Sequence, residues 1–137
     1  MQTSHAPKEK AGVVVYRQHS GDEPHVLVVS ARKFKNEWVF PVGSVKKGES
    51  LAEAAERECA EESGYQVNIG LKLPPVEFSL SDTTTRFTFF LATVVGERDQ
   101  WETDRIRKWL PVSRVADCLP EIFQVVAHHA AAHMGPG

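Results

Sequence analysis

Apolar residues in this chain fall into short runs rich in β-branched side chains, cut apart by polar segments that carry glycine and proline. That texture predicts strands. Ala11 to Tyr16 (AGVVVY) and His25 to Ala31 (HVLVVSA) are the first two, with Gln18 to Glu23 between them as a hairpin loop. Trp38-Val39-Phe40 is a shorter apolar run that Pro41 stops and Gly43 allows to bend. Tyr65 to Ile69, Val76 to Leu80 and Thr85 to Val95 predict three more strands. The last of these alternates well enough for an antiparallel partner, and Lys108-Trp109-Leu110 makes a short strand that Pro111 ends.

One segment has a different period. Ser50 with Glu53 matches a capping box, good helix formers run on to Glu62, and Gly64 is a natural stop. From Ser113 onward the pattern is helical again, ending in an Ala- and His-rich stretch before Gly135-Pro136-Gly137. Strands before and after a central helix, with a second helix closing the chain, predict an α/β fold: a mixed sheet with helices on both faces. With 137 residues and no internal repeat or linker, the expectation is a single domain over 1–137, with a polar tail over about 1–9 and a flexible end over about 134–137.

Composition narrows the function classes. At 42% hydrophobic and 25% charged residues the chain has the make-up of a globular domain, which excludes disorder throughout. A net charge of −2 argues against a general nucleic-acid binder. Cys59 and Cys118 form no CxxC pair, so neither a zinc framework nor a disulfide scaffold is expected. The polar stretch Met1 to Lys10 lacks an apolar h-region, and no apolar run reaches the ~20 residues that span a bilayer. The expected setting is cytoplasmic, as a monomer or homodimer without a membrane partner.

The chemistry concentrates in the segment GSVKKGESLAEAAERECAEESGY from Gly43 to Tyr65. A run of acids usually marks a solvated face. At about 100° per residue, however, Leu51, Ala54 and Ala55 share a side of the helix with Glu58, and Glu61 and Glu62 flank Glu58 at i+3 and i+4. Glu53, Glu56 and Ala60 fall on the other side. The inner face therefore begins apolar and turns acidic. Three carboxylates crowded inward repel one another and are costly to desolvate, a problem that a hard cation such as Mg²⁺ removes.

The same residues carry a resemblance to the Nudix hydrolases. Gly43, then Glu49, then Arg57-Glu58-Cys59-Ala60-Glu61-Glu62-Ser63-Gly64-Tyr65 fill every fixed position of the Nudix box, with Cys59 and Tyr65 where aliphatic residues are more usual. The resemblance implies an α/β/α sandwich in which the box forms a loop–helix–loop. It implies Mg²⁺, or Mn²⁺, held by Glu58 and Glu62 with the Gly43 carbonyl. Glu61 is implied as a further ligand or as the base that activates water. Arg57 would orient the carboxylates through Glu61 or Glu49, in preference to a surface ion pair with Glu53. The implied reaction is hydrolysis of a phosphoanhydride by metal-activated water.

The box does not choose a substrate. Ser30-Ala31-Arg32, Glu37-Trp38-Val39-Phe40-Pro41 and Arg105-Ile106-Arg107-Lys108-Trp109 look similar to the branch acting on diphosphoinositol polyphosphates and dinucleoside polyphosphates, although Val42 departs from that branch's usual glycine or lysine before Gly43. Cations for a polyphosphate are available in Lys8, Lys10, Arg32, Lys33, Lys35, Arg86, Arg105 and Arg107. Lys10, Arg32, Arg86 and Arg107 are taken as the substrate-binding set, with Lys10, Arg32 and Arg86 expected to converge at the ends of adjacent strands. Trp101 is a candidate for base stacking, Trp109 for the core, and Glu97, Glu102 or Asp104 for a further acid. His129 and His133 lack a third ligand and read as an exposed terminal helix. The alternatives from other classes are a Nudix-fold module that binds a nucleotide without cleaving it and a nucleoside triphosphate or RNA-end pyrophosphohydrolase.

Overall fold

The computed structural model describes residues 6–32, 37–102 and 104–134. Strand β1 (Lys8–Arg17) is the spine. It lies parallel to β7 (Thr83–Glu97) along eight consecutive residue pairs, from Lys8 opposite Thr85 to Val15 opposite Ala92. All other pairings are antiparallel: β5 (Tyr65–Lys72) and β6 (Val76–Leu80) on β7, and β3 (Trp38–Val39) and β8 (Arg107–Pro111) on β2 (His25–Ser30).

The second edge of β1 is shared between two partners. Near its C-terminus β1 pairs with β2 at Tyr16 and Arg17, while its N-terminal half pairs with β4 (Val42–Ser44), Lys10 lying opposite Ser44 and Gly12 opposite Val42. Between these two contacts the Val13 N–H donates to the Pro41 carbonyl at 3.0 Å. The strand thus forks, and the chain from Phe40 to Ser44 fills the opening. Buried Phe40 packs edge-on to Phe89, with ring centroids 5.9 Å apart, and plugs the fork from one side.

Alternation along the strands makes two cores. Ala11, Val13 and Val15 of β1, with Leu27, Phe90 and Ala92, face helix α1 (Leu51–Ser63) through its Ala54, Ala55 and Cys59. Val14, with Val28, Phe89 and Leu91, faces helix α3 (Glu121–Ala131) through Phe123, Val126, Ala127 and Ala130. The result is the expected mixed sheet between helical layers. Helix α1 begins and ends where the sequence predicts. Ser50 and Glu53 complete a reciprocal capping box, and Gly64 adopts φ 79°.

Two expectations need correction. The C-terminal region is not one helix from Ser113. A single turn, α2 (Val112–Val115), and a 3₁₀ turn over Ala116–Cys118 lead to extended Leu119, and α3 begins only after Pro120. A residue before proline is driven out of the helical region, which makes the break at Leu119. Nor is α3 an exposed terminal helix. Its apolar face is part of the core, and His129 is half-buried with a covered Nδ1. Among the described residues, no helix is long and apolar enough to cross a membrane.

The fork depends on close approach at Gly12, where a Cβ would fall on the Pro41 carbonyl and 2.7 Å from the Phe89 ring. Gly12→Ala is expected to destabilise the fold by about 1–3 kcal/mol in urea denaturation. Gly21, at φ 87° in the open β1–β2 turn with nothing near its Cβ direction, should cost about 1 kcal/mol on the same change.

Candidate functional site

The fork carries the chain past Gly43 to a tight turn over Lys46–Glu49. Gly48 adopts φ 83°, the Glu49 N–H donates to the Lys46 carbonyl at 3.0 Å, and the Lys46 N–H donates to Glu49 Oε1 at 2.9 Å. The turn aims the Glu49 carboxylate at Arg57, one and a half turns into α1. Arg57 Nε donates to Glu49 Oε2 at 2.7 Å and Nη2 to Glu49 Oε1 at 3.0 Å, a two-pronged pair with 14% of the Glu49 side chain exposed. The same guanidinium donates to the Ser44 carbonyl at 3.0 Å and to Glu61 at 3.3 Å, and lies 3.5 Å from Glu58. Arg57 thus fastens the loop to the helix while touching two acids of the cluster. Glu53 is occupied at the helix cap.

The cluster is graded in depth. Glu62 is 4% exposed, the Glu58 side chain 14%, and the Glu61 side chain 38%. Glu61 therefore stands at the rim, and the other two form the interior part. The Val42 N–H donates to Glu62 Oε1 at 3.2 Å. Burial first, with the Glu58 charge adding to it, pushes the Glu62 carboxyl up to about 8 against the pull of Arg105. Glu58 is also raised, by burial first and then by Glu61, with Arg57 opposing. The Gly43 backbone passes so close to the Glu58 carboxylate that a Cβ there would fall on it.

A buried and a half-buried carboxylate that both disfavour their charged forms, beside a glycine whose added Cβ would fall on one of them, fit a hard cation that prefers oxygen. Among the described residues, no three acidic, imidazole or thiol side chains already form a cage. An ion at Glu58 and Glu62 would take its remaining oxygens from backbone, water or substrate, as Mg²⁺ commonly does.

Glu62 lies at the polar end of a cleft of about 680 Å³ on the α3 side of the sheet. Lys10 and Arg32 line this cleft together with Arg105, Glu37 and Val42. A groove of equal volume on the other flank of α1, lined by Glu53, Glu56 and Arg98 among others, includes neither Glu58 nor Glu62.

The predicted convergence of Lys10, Arg32 and Arg86 fails at Arg86. It stands opposite Glu9 in the parallel ladder, on the opposite face from Lys10, and is held by Glu9 at 3.1 Å and Glu77 at 2.9 Å. Arg107 is also placed away from the cleft. It donates to the Ser63 carbonyl at 2.6 Å, pairs with Glu97 and lies over the Tyr65 and Trp101 rings. There it satisfies an orphan carbonyl at the end of α1. Lys33 and Lys35 lie outside the described residues.

Arg105 is the cation that the substrate-binding set omits. It donates to the Ser30 carbonyl at 2.8 Å and pairs with Glu102 at 3.0 Å, facing Glu62. Only a long-range tie from the β7–β8 connection to the end of β2 distinguishes it from its basic neighbours. Among the candidate further acids, Glu102 is closest to the cluster: its N–H donates to the Glu61 carbonyl at 2.9 Å, and its charge raises both Glu58 and Glu62. Glu97 serves Arg107, and Asp104 pairs with Arg32. Trp109 packs against the α1-side core and donates from Nε1 to the Tyr65 hydroxyl at 3.2 Å.

The Arg57 hydrogen bond, and after it the Lys46 N–H, hold the Glu49 carboxyl down to about 2. A depressed carboxyl contributes stability that is present above its ordinary value of 4.5 and lost as pH falls toward 2. Glu49→Gln should therefore be less stable than the parent at pH 6, with the gap closing as pH falls from about 4.5 to about 2 in denaturation series. A constant gap across that range would mean that the pair contributes by packing alone.

Residues 6–130 match the family model for the NUDIX domain. The chain is 31% identical over 109 residues to diphosphoinositol polyphosphate phosphohydrolase 2 of Rattus norvegicus, covering 77% of this chain and 59% of that protein. It is 31% identical over 118 residues to an 8-oxo-(d)GTP phosphatase of Mycolicibacterium smegmatis, covering 80% of this chain and 36% of that one. The chain thus spans less than two thirds of the length of these relatives. Among solved structures it is similar to a C. elegans Ap4A hydrolase binary complex (TM-score 0.76, 20% identity, 91% of this chain and 96% of that one). It is also similar to a NUDIX hydrolase from Nitrosomonas europaea (TM-score 0.75, 20% identity, 96% and 93%). The box, the sandwich around it and these matches agree: the chain belongs to the NUDIX family of hydrolases.

Proposed function

We propose that this protein is a divalent-metal-dependent pyrophosphohydrolase that cleaves a phosphoanhydride bond in a dinucleoside polyphosphate, a diphosphoinositol polyphosphate or a related diphosphate-linked substrate. The observation that carries the reading is buried Glu62 lining the cleft, with half-buried Glu58 beside it on the same helix and Gly43 against Glu58. Names of relatives support the substrate classes: one hydrolyses diphosphoinositol polyphosphates and a structural neighbour Ap4A.

In this reading Glu58, Glu62 and the Gly43 carbonyl hold Mg²⁺ or Mn²⁺, with Glu61 at the rim as an additional ligand or as the base. When bound, the ion supplies a Lewis acid that offsets charge on the diphosphate and makes water a competent nucleophile near neutral pH. In the role of base, Glu61, more exposed than its neighbours, would accept the proton of the attacking water. Water oxygen bonds to phosphorus, the bridging P–O bond breaks, and both products leave as phosphates. Arg57 keeps Glu61 and the Gly43–Glu49 loop in place through Glu49. Lys10 and Arg32, with Arg105 behind them, hold the non-bridging phosphate oxygens. For Arg86 and Arg107, whose guanidiniums are engaged by acids away from the cleft, a structural role replaces the substrate-binding one.

The test is a Mg²⁺ incubation with diadenosine polyphosphates, nucleoside triphosphates, ADP-ribose, nucleotide sugars and a diphosphoinositol polyphosphate, the products being resolved chromatographically. Cleavage of one class is expected, reduced at least about 10²-fold in Glu61→Gln or Glu62→Gln. Tight binding of one member with no turnover of any would instead identify a binding module.

A further inference from the structure

Tyr65 stands where the Nudix box usually has an aliphatic residue, and its ring has a specific use. The Arg107 guanidinium lies over it at 4.2 Å and over the Trp101 ring at 4.9 Å. Trp101 in turn lies against the Gly64 backbone, where an added Cβ would fall 2.6 Å from its Cδ1. Gly64, already needed at φ 79° to end α1, is thus also needed as the floor for an indole. Around this stack residues 98–102 of the β7–β8 connection are fastened across the end of α1. The Arg98 N–H donates to the Gly64 carbonyl at 2.7 Å and the Glu102 N–H to the Glu61 carbonyl at 2.9 Å, while Arg107 takes the Ser63 carbonyl at 2.6 Å. Carbonyls that a helix end leaves without internal partners find their donors here.

The fastened segment carries a group that reaches the cleft. Directly after Trp101, Glu102 accepts from Arg105 Nε and from Arg32 Nη2, each at 3.0 Å. Both arginines line the cleft beside Glu62. Ser30 and Asp104 hold the other sides of these guanidiniums, and Glu102 is the acid they share. Long, flexible cations bind a diphosphate well only when their orientation is fixed beforehand. Glu102 supplies that orientation. Its own place is set by the backbone bond to Glu61 and by the indole seated next to it. Register therefore passes from Gly64 through Trp101 and Glu102 to the two arginines, and misplacement by about 1 Å at a distance from the chemistry can cost on the order of 10²-fold in rate.

We propose that Trp101 is a positioning residue: seated on Gly64 beside Arg107, it sets the register of Glu102 and so aims Arg32 and Arg105 at the phosphates of the substrate. This rests on the hydrolase reading of the cleft and adds to it a residue that acts through Glu102. In this role the ring that the sequence offers for base stacking is committed to the protein itself.

The test compares the parent with Trp101→Ala, Trp101→Phe, Glu102→Ala and the double variant Trp101→Ala/Glu102→Ala. Each is titrated calorimetrically with Mg²⁺ alone and then, in Mg²⁺, with methylenediphosphonate, a diphosphate analogue that resists cleavage. Amide hydrogen exchange is followed at Arg98 and Glu102, with Ala54 in the first turn of α1 as the reference. Trp101→Ala should weaken methylenediphosphonate about tenfold and leave Mg²⁺ alone within about twofold, since Glu58 and Glu62 lie on α1 itself. Exchange should quicken at least about tenfold at Arg98 and Glu102 and stay unchanged at Ala54. Trp101→Phe, which keeps a ring on Gly64, should restore the parent values. Glu102→Ala should weaken methylenediphosphonate as much as Trp101→Ala does, and the double variant no more than either. A residue that merely stabilised the fold would quicken Ala54 as well and add its full cost in the double variant. Additive losses, equal loss of Mg²⁺ and methylenediphosphonate, or unchanged or tighter methylenediphosphonate binding overturns the inference while the parent's hydrolysis of the substrate panel stands. A parent that binds methylenediphosphonate but hydrolyses no member of the panel overturns the hydrolase reading and leaves the positioning role standing on the same titrations. A parent that does not bind it overturns both.

Discussion

The structure depends on keeping two carboxylates where water is scarce. Glu62 and Glu58 are placed by α1 on the side of the helix that also carries Ala54 and Ala55, so the packing that seats the helix also draws the acids inward. Desolvation works against both charged forms, and neighbouring acids add to it, Glu61 at Glu58 and Glu58 at Glu62. Nothing in the local sequence favours such an arrangement for its own sake. It persists because the helix is fixed at both ends, by the capping box at Ser50 and by the left-handed Gly64, and because the apolar contacts of its first turns are strong enough to hold it.

Around this pair the rest of the site is a system of restraints. The fork in β1 brings Gly43 to Glu58, and the Val42 N–H to Glu62. Arg57 ties the returning loop to the helix through Glu49 and Ser44, and its charge partly offsets the acids. Across the cleft, Arg105 faces Glu62 while its own position is set by Ser30 and Glu102. These are charge-assisted bonds in partly covered surroundings, which are stronger than exposed ion pairs and impose a definite geometry. The apolar wall at Phe78 and Phe87 belongs to the same cleft but has a separate origin, in the overhang of the β6–β7 hairpin beyond the core.

Much of this was legible in the sequence. Val76–Leu80 and α1 appear at the boundaries that pattern and caps predict, because period and termination agree there. The box residues could be placed on one helix face by angle alone. What escaped was long-range. Strand β4 is three residues long and pairs only because the fork leaves an edge of β1 open. Arg86 and Lys10 both lie near one end of the sheet but on opposite faces, a distinction that depends on the register between β1 and β7. Arg107 resembles any other cation in the 105–108 run until the end of α1 is seen beside it. The break at Leu119–Pro120 was readable from the proline, although the Ala-rich stretch beyond it masked the signal.

Calorimetric titration of the metal-free protein with Mg²⁺, without substrate, distinguishes a defined cation site from a charged surface, for the parent and for Glu58→Gln, Glu62→Gln and Glu56→Gln. Glu56 lies on the exposed side of the same helix and serves as the control for charge alone. Saturable binding is expected that survives Glu56→Gln and is weakened at least about tenfold by either of the other two changes. Equal weakening by all three would show that the helix attracts cations only as a diffuse acidic surface, and would contradict a site built on Glu58 and Glu62.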